Sequence, residues 1–211
     1  MKVVAFATIR LNSKRLHKKN LLPIAGKPMC YHILQTALDT HIFNDIYVYC
    51  SDPSIINAIP EKTVFLKRDK RLDEDTIKAQ DTYSAFIKDV PDADVYVALC
   101  TTSPFTKKES IIEAVAKVVS GEYDSAFCAT KAQSFGWYMG KPINYDPSDI
   151  PRTQDLEPIY IETSGFFVFT RELWLNYKRR IGFNPYIQCV DSIEGIDIDT
   201  LDDYNLAVRL S

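Results

Sequence analysis

Short apolar runs that alternate with amphipathic segments are the feature that most limits how this 211-residue chain can fold. The apolar runs are rich in β-branched and aromatic residues, which predicts buried strands, and they occupy residues 2–8, 45–51, 63–67, 94–100 and 123–130. The segments between them have helical periodicity and occupy residues 27–39, 75–90 and 110–120. Thr106 and Glu109 have the spacing of a capping box, which predicts the start of the third helix. This order predicts an α/β domain with a doubly wound, mostly parallel sheet, whose ligands bind at the carboxyl ends of the strands.

The segment 131–160 interrupts this alternation. It is rich in Pro, Gly and aromatic residues and has no clean period, which is typical of a functional loop or an interface. Trp137, Tyr138 and Met139 have no periodic pattern that would bury them within one domain. Regularity then returns with apolar runs at 164–170 and 186–190, which predict two more strands, a helix around 171–180 and a final helix. We therefore predict a single domain over residues 1–211, with 131–160 as an excursion that builds a homodimer.

Charge and cysteine usage argue against several classes of protein. The formal net charge is −3, so the chain lacks the basic surplus of a nucleic-acid-binding or membrane-surface protein. No stretch of about 18 apolar residues is present, and the first ten residues lack the features of a secretory signal. The five cysteines form no C-x-x-C pair, which is typical of reduced thiols. We expect a cytoplasmic protein without nucleic-acid or membrane partners.

A basic loop follows the first predicted strand. It contains five cations and no acid, which suits a triphosphate because Arg supplies forked hydrogen bonds and Lys supplies movable point charges. The cations are Arg10, Lys14, Arg15, Lys18 and Lys19. Asn12 and Ser13 favour turns that expose backbone N–H groups to the same phosphates. There is no G-x-x-x-x-G-K-[ST] motif, which excludes a P-loop kinase. The alternative is a solvated basic loop without a ligand.

Two aspartates near the end of the chain form a second candidate site. In the sequence Gly195-Ile-Asp-Ile-Asp-Thr200, a strand would place Asp197 and Asp199 on one face, about 7 Å apart at Cα. Ile196 and Ile198 would then face the core. Two carboxylates on one face suit a Mg²⁺ ion that keeps most of its waters and also binds phosphate. The alternative is an edge strand with solvated acids that leads into a helix cap.

These pieces together resemble a known family. Residues 10–20, R-L-N-S-K-R-L-H-K-K-N, resemble the signature R-x-x-S-K-x-L-x-x-K-N of the CMP-acylneuraminate synthetases, which are grouped with the CMP-Kdo synthetases in the cytidylyltransferase family. The resemblance continues along the chain at Ser51-Asp52, Arg68 to Thr76, Thr102-Ser103-Pro104, Ser164-Gly165 and Ile196 to Thr200. Each motif is short, and their common order and spacing carry the resemblance.

The resemblance implies a Rossmann-like nucleotidyltransferase that uses Mg²⁺. The hydroxyl of a small acceptor, an acidic sugar, would attack the α-phosphorus of CTP and release pyrophosphate. Relatives dimerise through an arm near 131–160 and let it approach the neighbouring site. The implied catalytic residues are Arg10, Lys19 and Asp199, and the implied metal ligands are Asp197 and Asp199. The implied nucleotide-binding residues are Arg10, Leu11, Asn12, Ser13, Lys19, Asn20, Arg68, Asp75 and Thr76. For the stretch from Arg68 to Thr76, a charged turn that caps a helix is the alternative.

The implied acceptor-binding residues are Cys100, Thr102, Ser103, Arg152 and Glu162. Two of them depart from the family pattern. Cys100 replaces the Gln of the family turn, and Glu162 falls near an Arg that is thought to hold the carboxylate of sialic acid. Because a glutamate repels a carboxylate unless a cation intervenes, we expect Arg152 or Lys141 to supply that cation. We also expect an acceptor other than N-acetylneuraminic acid.

Two alternatives stay open at this stage. The first is a cytidylyltransferase for a different acceptor, such as Kdo, an amino-bearing polyol or a phosphonate. The second is a non-catalytic nucleotide-binding subunit of a polysaccharide assembly. The presence of Arg10, Lys19, Asp197 and Asp199 argues against the second alternative.

Overall fold

A mostly parallel sheet of seven strands forms the centre of the fold. The computed structural model describes residues 1–211. The strands are β1 (Val3–Ile9), β2 (Pro23–Ile24), β3 (Lys27–Pro28), β4 (Asp45–Cys50), β5 (Val64–Lys67), β6 (Val95–Leu99), β7 (Ser125–Ala132), β8 (Trp137–Tyr138), β9 (Lys141–Pro142), β10 (Ile159–Thr170) and β11 (Pro185–Val190). The α-helices are α1 (Met29–Thr40), α2 (Ala79–Asp89), α3 (Lys108–Val119), α4 (Arg171–Tyr177) and α5 (Leu201–Leu210). No helix is long and apolar enough to cross a membrane.

The strand order in the sheet is β11-β7-β10-β6-β1-β4-β5. Strand β1 pairs in parallel with β4 and β6, β4 pairs in parallel with β5, and β7 pairs in parallel with β11. Only β10 is antiparallel to its neighbours β6 and β7. The predicted doubly wound, mostly parallel sheet is therefore confirmed.

Alternating side chains of β1 show how the two faces of the sheet are covered. Ala5 and Ala7 belong to an apolar cluster with helices α1 and α3. Val4 and Phe6 face the opposite side, where the Phe6 ring stacks on Phe86 of α2 with a centroid distance of 4.2 Å. Successive strand residues point to opposite faces, so a nearly continuous apolar run is buried on both.

Two predicted helix starts differ from the structure. Helix α2 was predicted from residue 75 but begins at Ala79, because residues 75 and 76 lie in a turn and the N–H of Lys78 donates to the carboxylate of Asp81 at 2.9 Å. The predicted capping box at Thr106 is wrong, since the Thr106 hydroxyl donates to the carbonyl of Ser103. Helix α3 begins at Lys108, and the preceding backbone N–H, that of Lys107, donates to the carboxylate of Glu194 at 3.0 Å. A partner so distant in sequence leaves no local signal.

The excursion at 131–160 contains little regular structure. A short hairpin of β8 and β9 turns through Met139 and Gly140, which have positive φ angles, and a 3₁₀ turn follows at Thr153–Asp155. Trp137, Tyr138 and Met139 are 58%, 69% and 84% exposed. The hairpin thus carries unusually large apolar side chains at its surface. Dimerisation through it stays a prediction.

Candidate active site

The candidate site residues meet at one edge of the sheet. The basic loop follows the carboxyl end of β1, the Arg68 turn follows β5, and the Cys100 turn follows β6. The antiparallel strand β10 brings its irregular part, between Glu162 and Phe167, to this edge, and the aspartate segment follows β11. This is the edge at which doubly wound sheets bind their ligands.

Asn20 fixes the basic loop against the rest of the site. Its side chain is buried, its Nδ2 donates to the carbonyl of Arg10 at 3.1 Å, and its Oδ1 accepts from the Thr101 hydroxyl at 2.6 Å. The loop is therefore tied to its own start and to the turn after β6. The structure gives Asn20 a positioning role, whereas Asn12 and Thr76 are exposed and Leu11 and Ser13 are partly buried.

Asp199 forms ion pairs with two cations of the basic loop. Lys19 Nζ lies 2.8 Å from Asp199 Oδ1, and Arg15 donates to both carboxylate oxygens, each at 2.8 Å. Burial alone would raise the pKa of Asp199, but the hydrogen bonds and charges of Lys19 and Arg15 outweigh it and hold that pKa below its ordinary value. Asp199 is thus an anion that orients these two cations.

Asp75 plays a similar role at the outer end of the loop. Lys14 Nζ lies 2.6 Å from Asp75 and Arg10 Nη1 lies 3.4 Å from it. The hydrogen bond from Lys14, with the charge of Arg10, keeps the pKa of the Asp75 carboxyl below its ordinary value. Four of the five loop cations are therefore paired with two carboxylates, and an anionic ligand would compete with these carboxylates for them.

The segment that contains Asp197 is not a strand, contrary to the sequence prediction. It makes no sheet ladder, and the N–H of Ile198 donates to the carbonyl of Thr102 at 2.9 Å. The predicted burial of the isoleucines is confirmed: Ile198 is fully buried and Ile196 packs against the same cluster. The spacing of the residues correctly predicted that the isoleucines face the core. The backbone, however, is held by a hydrogen bond to the turn after β6 and not by pairing with a strand.

One oxygen of Asp197 lacks a hydrogen-bond partner. Its Oδ2 accepts from the Ser164 hydroxyl at 2.8 Å, while its Oδ1 is buried and unpaired. A buried carboxylate oxygen without a partner is costly unless a ligand completes its environment. No group of three or more His, Cys, Asp or Glu side chains forms a closed metal cage. The unpaired oxygen of Asp197 fits Mg²⁺, which is commonly held by one or two carboxylates together with water and substrate phosphates. Both oxygens of Asp199 are engaged by Arg15 and Lys19, so its role as a metal ligand stays a prediction.

Arg68 is buried rather than open to a ligand. Its guanidinium pairs with Asp73, whose other carboxylate oxygen accepts from the Ser51 hydroxyl. The backbone carbonyl of Asp73 in turn accepts from Arg10 at 3.4 Å. This geometry favours a supporting role for Arg68, which holds Asp73 in place against Arg10 of the basic loop. Its direct contact with cytidine stays a prediction.

The acceptor side is organised around the turn after β6. The N–H of Cys100 donates to the carbonyl of Gly165, and the N–H of Ser103 donates to the carbonyl of Cys100, both at 3.1 Å. The Ser103 hydroxyl is buried without a partner. Thr102 contributes its carbonyl to the aspartate segment, as described above. The turn therefore connects β10 to the metal-ligand candidates.

The cation beside Glu162 is Arg180, which the sequence analysis missed. Arg180 Nη2 lies 3.1 Å from Glu162 Oε1. Arg152, one of the two expected cations, is instead paired with Asp155 at 2.7 Å. Lys141 lies in the exposed hairpin and makes no ion pair. The pairing of Glu162 with Arg180 removes the electrostatic reason for expecting an acceptor other than N-acetylneuraminic acid.

Comparison with known proteins decides the family. A family model described as "Cytidylyltransferase" matches residues 7–210, nearly the whole chain. The chain belongs to the cytidylyltransferase family.

Relatives of this cytidylyltransferase-family chain include enzymes for two acidic sugars. An N-acylneuraminate cytidylyltransferase from Streptococcus agalactiae is 28% identical over 97% of this chain, and the match covers 52% of that relative. A pseudaminic acid cytidylyltransferase from Campylobacter jejuni is 25% identical, and the match covers 98% of this chain and 95% of the relative. The chain therefore spans about half the length of the N-acylneuraminate relative and nearly all of the pseudaminic acid relative.

A solved structure supports the fold. A CMP:2-keto-3-deoxy-manno-octonic acid synthetase in complex with CTP superposes with a TM-score of 0.73 at 18% identity, over 100% of this chain and 98% of that chain. At this identity the likeness shows the nucleotidyltransferase fold of the cytidylyltransferases and nothing further.

Three residues outside the predicted set contact candidate site residues of this family member: Arg15 contacts Asp199, Ser164 contacts Asp197 and Arg180 contacts Glu162. Arg15 occupies a variable position of the family signature, Ser164 stands where the family has Asn, and Arg180 lies beyond the recognised motifs. The count of cations in the basic loop gave a signal for Arg15. No local signal pointed to Arg180, because its partner Glu162 is on a strand that arrives from the excursion.

Proposed function

We propose that this chain transfers a cytidylyl group from CTP to a hydroxyl of an acidic sugar of the nonulosonic-acid type. The oxygen of that hydroxyl forms a bond to the α-phosphorus and loses its proton, while the bond from the α-phosphorus to the bridging oxygen breaks and pyrophosphate leaves. The observation that carries the proposal is that Arg15 and Lys19 bind Asp199, two residues from Asp197, one of whose carboxylate oxygens is buried without a partner. A cytidylyltransferase-family chain with this arrangement can hold a triphosphate and a divalent cation together.

The basic loop supplies the electrostatic part of the mechanism. Arg10, Lys14, Arg15 and Lys19 are held in place by Asp75 and Asp199 before a ligand arrives. Preorganised cations stabilise developing charge without reorganising during the reaction. In the proposed function, Arg10 and Lys19 neutralise the triphosphate and the departing pyrophosphate. Positioning and charge stabilisation are sufficient for such a transfer, so no nucleophilic side chain is needed.

Asp197 and Asp199 are the residues that would hold Mg²⁺. When bound, the ion would neutralise charge on the phosphate that is transferred. Ser164 orients Asp197 through its 2.8 Å hydrogen bond and leaves the second carboxylate oxygen available. The ion pairs of Asp199 keep that residue ionised, which is the form that a metal requires.

The selectivity for CTP is proposed to come from the region of Arg68, Asp75 and Thr76. Arg68 supports this region from below through Asp73. The family membership and the sequence match along this stretch support cytosine over other bases. Asp75 and Thr76 are exposed at the edge where the base would lie.

A homodimer is also part of the proposal. The exposed side chains of Trp137, Tyr138 and Met139 support it, as does the clustering of neighbouring aromatic rings, with 4.6 Å between the centroids of Phe135 and Tyr145. Aromatic residues and Met are enriched in interface cores. The cytoplasmic location stays a prediction.

A pyrophosphate-release assay tests the function. It combines CTP and Mg²⁺ with N-acetylneuraminic acid, pseudaminic acid, 2-keto-3-deoxy-manno-octonic acid, an amino-bearing polyol and a phosphonate. Release that depends on an acidic sugar supports the proposal. Release only with the polyol or the phosphonate supports the first alternative, and nucleotide binding without release supports the non-catalytic one.

A further inference from the structure

A cavity beside the Cys100 turn has no role in the site described so far. Its volume is about 230 Å³, and it is lined by Ala79, Gln80, Tyr83, Trp174 and Arg180. Its walls come from the start of α2, from α4 and from the loop that follows α4. None of these residues belongs to a motif of the nucleotide site.

Two polar groups at this cavity have unused hydrogen-bonding capacity. Trp174 is 1% exposed, and its indole Nε1, which can only donate, has no partner. Arg180 donates from Nη2 to Glu162 at 3.1 Å and also interacts with the Tyr83 hydroxyl, which leaves some of its five N–H donors for a ligand. An unpaired donor on one lining residue and unused donors on another favour a ligand that carries oxygen atoms.

The position of Arg180 is fixed by packing. Its guanidinium lies over the ring of Phe167, 3.6 Å from the centroid, while Glu162 binds one end of it. Phe167 and Glu162 are both on β10, the strand that also carries Ser164 next to Asp197. A planar guanidinium held by stacking is preorganised to bind a carboxylate with two parallel hydrogen bonds.

Arg180 is linked to the metal-ligand candidates through β10. Its partner Glu162 lies two residues from Ser164, whose hydroxyl donates to Asp197 at 2.8 Å. Arg180 and Asp197 therefore contact neighbouring positions of the same strand. In the ring form of a 2-keto acid, the reacting hydroxyl and the carboxylate share one carbon. A cation that holds the carboxylate must therefore lie near the phosphate end of the site, as Arg180 does.

We infer that Arg180 binds the carboxylate of the acceptor, and that the cavity behind it takes an oxygen-bearing substituent of the sugar against Trp174. This inference rests on the proposed function and names the residue that makes it selective for acids. Glu162 keeps the guanidinium oriented and leaves its remaining donors for the acceptor.

Steady-state kinetics with the preferred acidic sugar tests the role of Arg180. Arg180→Met raises the KM for the acceptor by about 30-fold or more, because a carboxylate in a partly desolvated site loses its cation. The KM for CTP stays within about threefold of wild type. Arg180→Lys restores part of the loss, since it keeps the charge without the planar fork. Arg179→Met is the matched control, because Arg179 stacks on Phe183 away from the cavity and leaves both KM values unchanged.

A binding measurement separates this inference from the proposed function. The chain has two Trp residues, so a Trp137→Phe background leaves Trp174 as the fluorescent reporter at the cavity. N-acetylneuraminic acid and pseudaminic acid are titrated beside their carboxamide analogues, without CTP. The acid binds more tightly than the amide, and Arg180→Met removes that preference. The inference is overturned if Arg180→Met keeps an acceptor KM within about threefold of wild type. It is also overturned if the Trp137→Phe protein, which keeps Arg180, binds acid and amide equally, even where turnover is confirmed.

Discussion

Lys19 Nζ lies 2.8 Å from Asp199 Oδ1, although 180 residues separate the two in the chain. Arg15 binds the same carboxylate through both of its terminal nitrogens. This contact joins the basic loop after the first strand to the aspartate segment that precedes the last helix. The nucleotide-binding part and the metal-binding part of the candidate site are therefore one structural unit, in which the cations are oriented before a substrate arrives.

Replacing Asp199 by Asn separates function from folding. We expect turnover to fall about a thousandfold, roughly 4 kcal/mol of transition-state stabilisation, because the proposed metal ligand and the anchor of two cations are lost together. The fold survives, since Asp199 is 34% exposed and its loss opens no cavity. Pyrophosphate release and thermal unfolding measure the two effects. Asp202→Asn, an exposed change in the first turn of α5, is the control, and activity within about tenfold of wild type for Asp199→Asn shows that the metal is held elsewhere.

Replacing Arg68 by Met tests its supporting role. Arg68 is 5% exposed, and it pairs with Asp73, whose carbonyl accepts from Arg10 of the basic loop. Removing one partner leaves a partly buried carboxylate with only the Ser51 hydroxyl, so we expect a loss of about 3 kcal/mol in the free energy of unfolding. Urea denaturation measures it, with Lys70→Met on the exposed side of the same turn as the control. A loss below about 0.5 kcal/mol contradicts the supporting role and favours a direct role in binding the base.

The sequence predicted the fold well because its signals are local and periodic. Apolar runs identified all seven strands of the sheet, since a strand buried on both faces is apolar throughout, although the length of β10 and the starts of two helices were missed. The strand expected at Asp197 and Asp199 did not form, because the N–H of Ile198 donates to the carbonyl of Thr102 and not to a neighbouring strand. Arg180 escaped detection because its importance depends on Glu162 and Phe167, whose approach is set by tertiary packing.

The exposed hairpin predicts self-association. We expect a species of twice 24.1 kDa at micromolar concentration, and a monomer after the double change Tyr138→Asp with Met139→Asp, because the charges would be buried in the interface. Met139 has a positive φ of 48°, which Asp tolerates, so the turn itself is preserved. Sedimentation velocity measures both proteins, with Ile56→Asp at another exposed apolar site as the control. A wild-type chain that sediments only as a monomer refutes the dimer.

Alkaline pH is predicted to destabilise the fold through Tyr49. Burial raises its pKa above the ordinary value, and the hydrogen bond from its hydroxyl to Asp89, at 2.5 Å, raises it further. The unfolded chain releases this proton near pH 10 while the folded chain keeps it, so this contribution is complete below about pH 10 and is lost as the pH rises toward the folded pKa. Urea unfolding at pH values from about 8 to about 11 gives a steeper decline for wild type than for Tyr49→Phe. Parallel declines contradict this assignment.

The nucleotide and acceptor requirements of pyrophosphate release test the proposed function most directly. The purified chain is supplied with Mg²⁺, one of the four nucleoside triphosphates, and N-acetylneuraminic acid, pseudaminic acid or 2-keto-3-deoxy-manno-octonic acid. We predict release with CTP that requires an acidic sugar, yields one CMP-sugar per pyrophosphate, stops when EDTA removes the metal and resumes when Mg²⁺ is restored. Rates with ATP, GTP and UTP should be lower by about a hundredfold, or roughly 2.7 kcal/mol. Equal or faster release from ATP, or release from CTP that does not depend on any acceptor, contradicts cytidylyl transfer to an acidic sugar.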